Sequence, residues 1–287
     1  MKADAAYRTL SWLVALALIG FVIWIPTVIP AFSGAPWLAG VVLVLTLVTL
    51  RLGAGPPARY WYAAASPKQV GPVAIMIMVA LGCQLIAGVI LDLLGHLDPL
   101  SSSVMGILVW TVIPATFLGL GLVKWPERRA SPSRRQLLIV GCTAIALAAA
   151  FSFTVVALET DRWDYPSVGV LAGKMAGVLV LASAEEVVFR VLLLTALLSA
   201  TRSRGDALIL ASSAFALGHA PLALIQPIVH ADWTMLAYAA TEYAPAFVWQ
   251  MGFGLLLGAL WMRTGSIAIV AGTHAIINVG HVWVPGV

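Results

Sequence analysis

The chain has 287 residues, of which 61% are hydrophobic and only 10% charged, with a mean hydropathy of +1.00. A soluble domain carries roughly 25% charged residues, so this composition excludes an ordinary soluble protein and predicts an all-α, polytopic transmembrane helical bundle. The net charge of +4 and isoelectric point near 9.3 do not signal a nucleic-acid partner, because the basic residues form no patch and fall in alternate loops.

A helix that crosses a bilayer needs roughly 20 mostly apolar residues. Nine segments qualify, at about 10–31, 37–52, 70–95, 103–123, 136–158, 167–200, 206–226, 240–262 and 265–285. The count falls to eight if one of the first two lies flat. The first apolar run, after Lys2 and Arg8, is longer than the roughly 7–15 residues of a signal-peptide core, so it reads as a first membrane helix. Cys83 and Cys142 both fall within apolar segments and read as small packing residues, with no disulfide or Cys-based metal site indicated. The segment 167–200 is long enough to be tilted or broken, and Gly254 with Gly258 forms a small-xxx-small pair that favours close helix packing.

The loops sort by charge. Arg51, Arg59 and Lys68 follow the second segment, Lys124, Arg128, Arg129, Arg134 and Arg135 the fourth, Arg202 and Arg204 the sixth, and Arg263 the eighth. The loops between them carry Asp98, then Glu159, Asp161 and Asp164 beside a single Arg162, then Asp232 and Glu242. The positive-inside rule then puts the N-terminus in the cytoplasm and the C-terminus outside. The spans before residue 160 carry little ionisable chemistry apart from Asp92, which is close enough to an end to reach the interface. Residues 1–160 therefore read as N-terminal membrane helices without an assigned role, and 161–287 as the part that carries chemistry.

Inside the sixth span stand Glu185, Glu186 and Arg190. Each such charge costs about 2.5–3.5 kcal/mol at the centre of a membrane helix on insertion scales. Glu186 and Arg190 are i and i+4 with the acid first, the favourable order for an ion pair. Glu185 is rotated about 100° away and is left to face something else. Phe215 and His219 follow on the next span, and His274 and Asn278, again i and i+4, on the last. Taken singly, each polar residue is equally explained as interhelical hydrogen-bonding glue. Their concentration in the last four spans favours chemistry, and peptide hydrolysis within the membrane fits. Glu185 suits the base that activates water, His219 a partner in holding that water, and His274 and Asn278 donors to an oxyanion. The chain has no H-E-x-x-H, no G-x-S-G and no G-x-G-D, which removes three other intramembrane protease chemistries.

The succession E-E-x-x-x-R (Glu185, Glu186, Arg190), F-x-x-x-H (Phe215, His219) and H-x-x-x-N (His274, Asn278), with the Gly-rich run from Gly252 and Arg263-Thr264-Gly265-Ser266 before the last pair, resembles the CPBP family of intramembrane endopeptidases. That family includes the type II CAAX prenyl protease and bacteriocin-processing or immunity proteins. The resemblance covers roughly residues 165–285. It implies a helical membrane core around a conical cavity, with Glu185 catalytic, Glu186 and Arg190 supporting it, His219 sharing the water, and His274 and Asn278 at the oxyanion. It also raises zinc as an alternative, with Glu185, His219 and His274 as the ligands left once Glu186 is engaged by Arg190. A metal-independent glutamate mechanism is preferred.

The expected partners are the lipid bilayer and a membrane-embedded or membrane-associated peptide or protein substrate, with no nucleic acid. The Ala-, Gly- and Arg-leaning composition suggests a bacterial cytoplasmic membrane. The competing reading is a non-enzymatic membrane immunity or regulatory protein in which the same residues brace the helices; a proton-coupled transporter finds no paired repeats to support it. Lesser candidates read as structural: His281, Trp233 and Trp283 as interfacial residues, Lys174 as a snorkelling cation, and Gln250 as a lone amide within a span.

Overall fold

The computed structural model describes residues 6–14, 16, 17, 20, 64–127, 133–158 and 168–283. Among them every regular element is helical. A single 3₁₀ turn, Pro67–Gln69, leads into α1 (Val70–Leu93), followed by α2 (Pro99–Gly119) and α3 (Arg134–Leu158). Next, α4 (Val168–Glu186) passes without interruption through a π-helical segment, Val187–Leu194, into α5 (Thr195–Thr201). A bent pair, α6 (Arg204–Leu217) and α7 (Ala220–Val229), precedes α8 (Trp233–Thr264) and α9 (Ile267–Trp283).

These make seven helical rods between Pro67 and Trp283, in the order expected for segments 70–95 to 265–285. Four of them, Pro67–Leu93, Leu100–Gly119, Arg134–Ser152 and Arg204–Val229, are long and apolar enough by length and composition to cross a bilayer. The helices expected at 10–31 and 37–52 lie outside the described residues, apart from helical positions 10–14, 16, 17 and 20. Two expectations change in detail. The eighth segment starts at Trp233 rather than near 240, because Asp232 caps it there by accepting from the amides of Thr234 and Met235. Cys83 and Cys142 are free thiols on exposed helix faces rather than packed inside, since an apolar thiol on a lipid-facing surface needs no interior position.

Helix ends follow from local sequence. Asp98 caps α2 in a reciprocal box: its carboxylate accepts from the Ser101 amide at 2.7 Å, its own amide donates to Ser101 Oγ at 2.9 Å, and Pro99 opens the first turn. Gly265, at φ 54°, closes α8 with its amide on Trp261 O, so α9 turns straight back along α8. Basic residues gather at one end of the bundle, where the Lys124 amide donates to Gln69 Oε1 and the 3₁₀ turn meets α5. The other end is marked by Gln226 Nε2 donating to Asp92 Oδ1 at 2.7 Å, between α7 and α1.

Water drives no helix association inside a bilayer, so contact there depends on small residues and hydrogen bonds. The pair α6 and α8 meets at Gly254 and Gly258. A Cβ on Gly254 would stand 2.9 Å from Ser212 Cβ and 3.0 Å from Ser212 Cα, whereas one on Gly258 would meet Leu208 Cδ1 at 2.4 Å. The first obstacle is backbone and the second is the end of a movable side chain. Outward faces of α1 and α2 carry Ile75, Met78, Ile86, Leu108 and Val112, all exposed, as lipid contact requires.

Gly254→Ala is expected to lower thermal stability in detergent by an overpacking cost of about 1–3 kcal/mol, and by more than Gly258→Ala; the reverse order would contradict the backbone contact at Ser212. The Ser101 amide holds the Asp98 carboxyl below its ordinary value of 3.8. The cap therefore stabilises fully above the unfolded pKa and loses that contribution as pH falls through the lower folded one. Thermal melts of Asp98→Ala and the parent chain should differ at neutral pH and converge in acid.

Candidate active site

The polar residues of the last spans come together where four rods meet. On the rod α4–α5, Glu185 and Glu186 end the α-helical part and the next eight residues are π-helical. Such a segment widens the helix by one residue per turn and recurs at functional sites. Thr195 Oγ1 donates to Arg190 O at 3.2 Å where the π segment ends, and accepts from Trp261 Nε1 on α8 at 3.1 Å.

Glu186 is completely buried and is engaged twice. Arg190 Nε stands 3.1 Å from its Oε2, and His274 Nδ1 stands 2.8 Å from its Oε1. An ionised carboxylate only accepts, so Nδ1 of His274 carries the hydrogen. Arg190 is 2% exposed. Its Nη atoms make no hydrogen bond among the described residues, and its guanidinium lies over the Phe215 ring, 4.1 Å from the centroid. The pair expected at i and i+4 is present, and His274, from a different helix, completes it.

Glu185, 8% exposed, has a looser neighbour: His274 Nε2 lies 3.7 Å from its Oε2, beyond hydrogen-bond range. One imidazole thus faces both carboxylates, held by one and merely beside the other. Of the two acids, Glu185 retains the unengaged oxygens.

His219 sits at the break between α6 and α7. Pro221 has no amide hydrogen to give Leu217 O, so the α-helix cannot continue through 218 and 219. The carbonyls of the last turn accept at shorter range, Phe215 O from the Gly218 amide and Ala216 O from the His219 amide, and each takes a second bond: His219 Nδ1 donates to Phe215 O at 3.0 Å, and the Tyr243 hydroxyl donates to Ala216 O. With Nδ1 committed to a carbonyl, the neutral His219 ring presents Nε2 as its free, accepting atom. His219 lies within electrostatic reach of Glu185, His274 and Arg190.

Phe215 joins these groups. Its ring contacts His219 at 4.9 Å, His274 at 5.8 Å and Phe189 at 5.3 Å between centroids, each edge-on, besides carrying Arg190. Phe253, from α8, meets His274 edge-on at 4.9 Å. Sequence reasoning passed over Phe253 and Tyr243. Their signal was their position, one on the Gly-rich face of α8 and the other one to two helical turns before Gln250.

Asn278 is half-buried one turn beyond His274 and makes no hydrogen bond among the described residues, so its amide is available. Gln250 is half-buried with its Oε1 unpaired, and Lys174 is exposed on α4, three turns before Glu185. The side chains of His281, Trp233 and Trp283 lie outside the described ones. The zinc alternative asks for three converging donors. Among the described residues no three His, Cys, Asp or Glu side chains are grouped to hold a metal ion. The Nδ1 atoms of His274 and His219 are engaged by Glu186 and by the Phe215 carbonyl, so a ligand role for either ring would fall to its Nε2.

Removing one partner from a buried charge pair strands the other, at a cost of about 3–5 kcal/mol. Arg190→Met is therefore expected to destabilise the protein strongly in thermal unfolding. Arg190→Met combined with Glu186→Gln should recover part of that loss, and a double variant no better than the single would deny the pairing.

Comparison with curated proteins and with solved structures gives no match. A protein-family model does match, that described as Rce1-like, type II CAAX prenyl endopeptidase Rce1-like, over residues 167–280. The matched stretch begins just before α4 and ends within α9, and so contains Glu185, Glu186, Arg190, Phe215, His219, His274 and Asn278. The resemblance drawn from the three motifs is to the same family, and over these residues the chain is similar to the Rce1-like type II CAAX prenyl endopeptidases.

Proposed function

We propose that this protein is an intramembrane endopeptidase that hydrolyses peptide bonds in membrane-associated proteins or peptides, without a metal, using water activated by Glu185. The observation that carries the reading is the division between the two acids: Glu186 is held by Arg190 and His274, while Glu185 next to it is not. The Glu185 carboxylate therefore keeps oxygens with which to accept a hydrogen bond from water.

In the proposed reaction a water lies between Glu185 and His219. Glu185 takes one proton from the water as its oxygen attacks the scissile carbonyl carbon, with His219 Nε2 accepting a hydrogen bond from the second O–H. The carbonyl oxygen, now an oxyanion, receives hydrogen bonds from the Asn278 amide and from His274 Nε2 when that ring is protonated. With His274 protonated, the charges of Glu185, Glu186, Arg190 and His274 sum to zero, which limits the cost of keeping them out of water. Collapse of the tetrahedral species breaks the C–N bond, and the proton held by Glu185 passes to the leaving amine. Water is consumed, and a carboxylate and an amine are released.

The basic end of the bundle is placed in the cytoplasm by the positive-inside rule, and a bacterial inner membrane is the proposed location. Residues 161–287 are the proposed catalytic part. The family's description names CAAX prenyl substrates; for this chain the substrate is proposed only as a peptide presented at the membrane, prenylated CAAX peptides being one set to assay.

The test is cleavage of membrane-presented peptides, prenylated and unprenylated, by purified protein in detergent. Glu185→Gln is expected to lower kcat by a factor on the order of 10²–10⁴ with little change in melting temperature. Equal cleavage by both proteins would remove Glu185 from the mechanism. Activity should survive a strong chelator, and a loss restored by zinc would overturn the metal-independent assignment.

A further inference from the structure

The family match starts at residue 167, yet the helix that carries His274 and Asn278 packs along α3, which ends before the match begins. Two adjacent residues of α3 connect to that helix, one directly and one by way of α8. Ser152, 7% exposed, directs its hydroxyl at the backbone of α9: Oγ donates to Ile276 O and is 3.0 Å from Ile277 O. These carbonyls lie between His274 and Asn278 in sequence, so the bond fixes α9 at the turn that joins the two side chains. Phe151, beside it, starts a row of rings. It stacks on Trp249 of α8 at 5.1 Å, Trp249 lies nearly parallel to Phe253 at 6.0 Å, and Phe253 ends edge-on against the His274 imidazole.

From this we infer that α3 supplies a positioning element for the site, with Ser152 setting the rotation and height of α9 and the Phe151–Trp249–Phe253 row setting the plane of the His274 ring. The inference rests on the proposed hydrolytic role of His274 and Asn278 and extends it to residues outside the matched segment. A serine hydroxyl bonded to a carbonyl already within an α-helix is not needed to satisfy that carbonyl. Its own burial is what requires an acceptor, and α9 is the acceptor it finds. Sliding α9 by a fraction of a turn would break this bond, shift Asn278 away from an oxyanion and move His274 Nδ1 off Glu186. Displacements on the order of 1 Å in such groups can cost about 10²-fold in rate.

The experiment compares the full-length parent, Ser152→Ala, Ser152→Thr, Phe253→Leu and Glu185→Gln on the membrane-presented peptide set, with melting temperature recorded for each. It adds hydrogen–deuterium exchange of the backbone over 274–281. Ser152→Ala is expected to lose kcat by about 3–30-fold with KM within twofold and melting nearly unchanged. Exchange over 274–281 should quicken while that of α6 stays as it was. Ser152→Thr, which keeps the hydroxyl, should restore both rate and exchange, and Phe253→Leu should lower kcat in the same sense. If Glu185→Gln is inactive but Ser152→Ala keeps the parental kcat and exchange, the positioning role is wrong and the hydrolytic reading stands. A loss in Ser152→Ala that follows melting temperature and is not rescued by threonine also overturns it. If Glu185→Gln cleaves as well as the parent, the hydrolytic reading has failed; faster exchange of α9 in Ser152→Ala would then still report the anchoring, and unchanged exchange would refute it.

Discussion

Glu186 cannot be ionised inside the bundle unless something nearby compensates it, and two cations-in-waiting from different helices do so. Arg190 comes from the same rod and His274 from the last helix of the chain. That shared carboxylate has consequences in several directions. It holds α9 against α4 at a defined height. It fixes which nitrogen of His274 carries the hydrogen, and so which nitrogen is turned toward Glu185. It also holds the guanidinium where its flat face can rest on Phe215, the ring that in turn touches both imidazoles. A polar group buried in lipid has no water to fall back on, so each of these bonds excludes alternatives more strongly than it would in a soluble core.

Two departures from regular helix make this convergence geometrically feasible. The π segment after Glu186 follows directly on the paired acids, and the break at Gly218–His219 releases carbonyls that a straight helix would have used internally. Phe215 O and Ala216 O, which there accept only from the nearer Gly218 and His219 amides, take second hydrogen bonds from His219 Nδ1 and the Tyr243 hydroxyl. The break thus fixes the tautomer of one histidine much as Glu186 fixes that of the other, with a neutral acceptor in one case and a charged one in the other.

Much of this was legible before any coordinates. Charge segregation and apolar run lengths marked the seven rods between 66 and 283, and the i,i+4 spacing of Glu186 and Arg190 announced their ion pair. Gly254 and Gly258 announced a close approach, though not which of the two abuts backbone. The role of His274 toward Glu186 was not legible. Periodicity places a side chain on a face of its own helix, but two residues 88 apart in sequence meet only through the packing of other elements. The π segment was hidden for a related reason. Its residues, Val187 to Leu194, are ordinary helix formers apart from Arg190, and nothing in their order separates a π turn from an α turn. The two thiols misled because apolar surroundings in a membrane protein are found outside as well as inside.

The boundary between a motif-bearing half and an unassigned half of the chain follows sequence signal rather than mechanical connection. The side chains proposed as catalytic are few and stand out as costly residues in apolar text. The groups proposed to aim them are ordinary: a serine, two phenylalanines and a tryptophan, none unusual in a membrane helix. Yet in a bilayer the hydrophobic effect does not draw one span toward another, so a helix bearing a histidine and an asparagine stays in register only if specific contacts hold it there. α9 has such contacts on two sides, Glu186 on α4 and Ser152 on α3. Helices that carry no recognisable chemistry are then mechanically part of the candidate site, because they help determine where its donors and carboxylates stand.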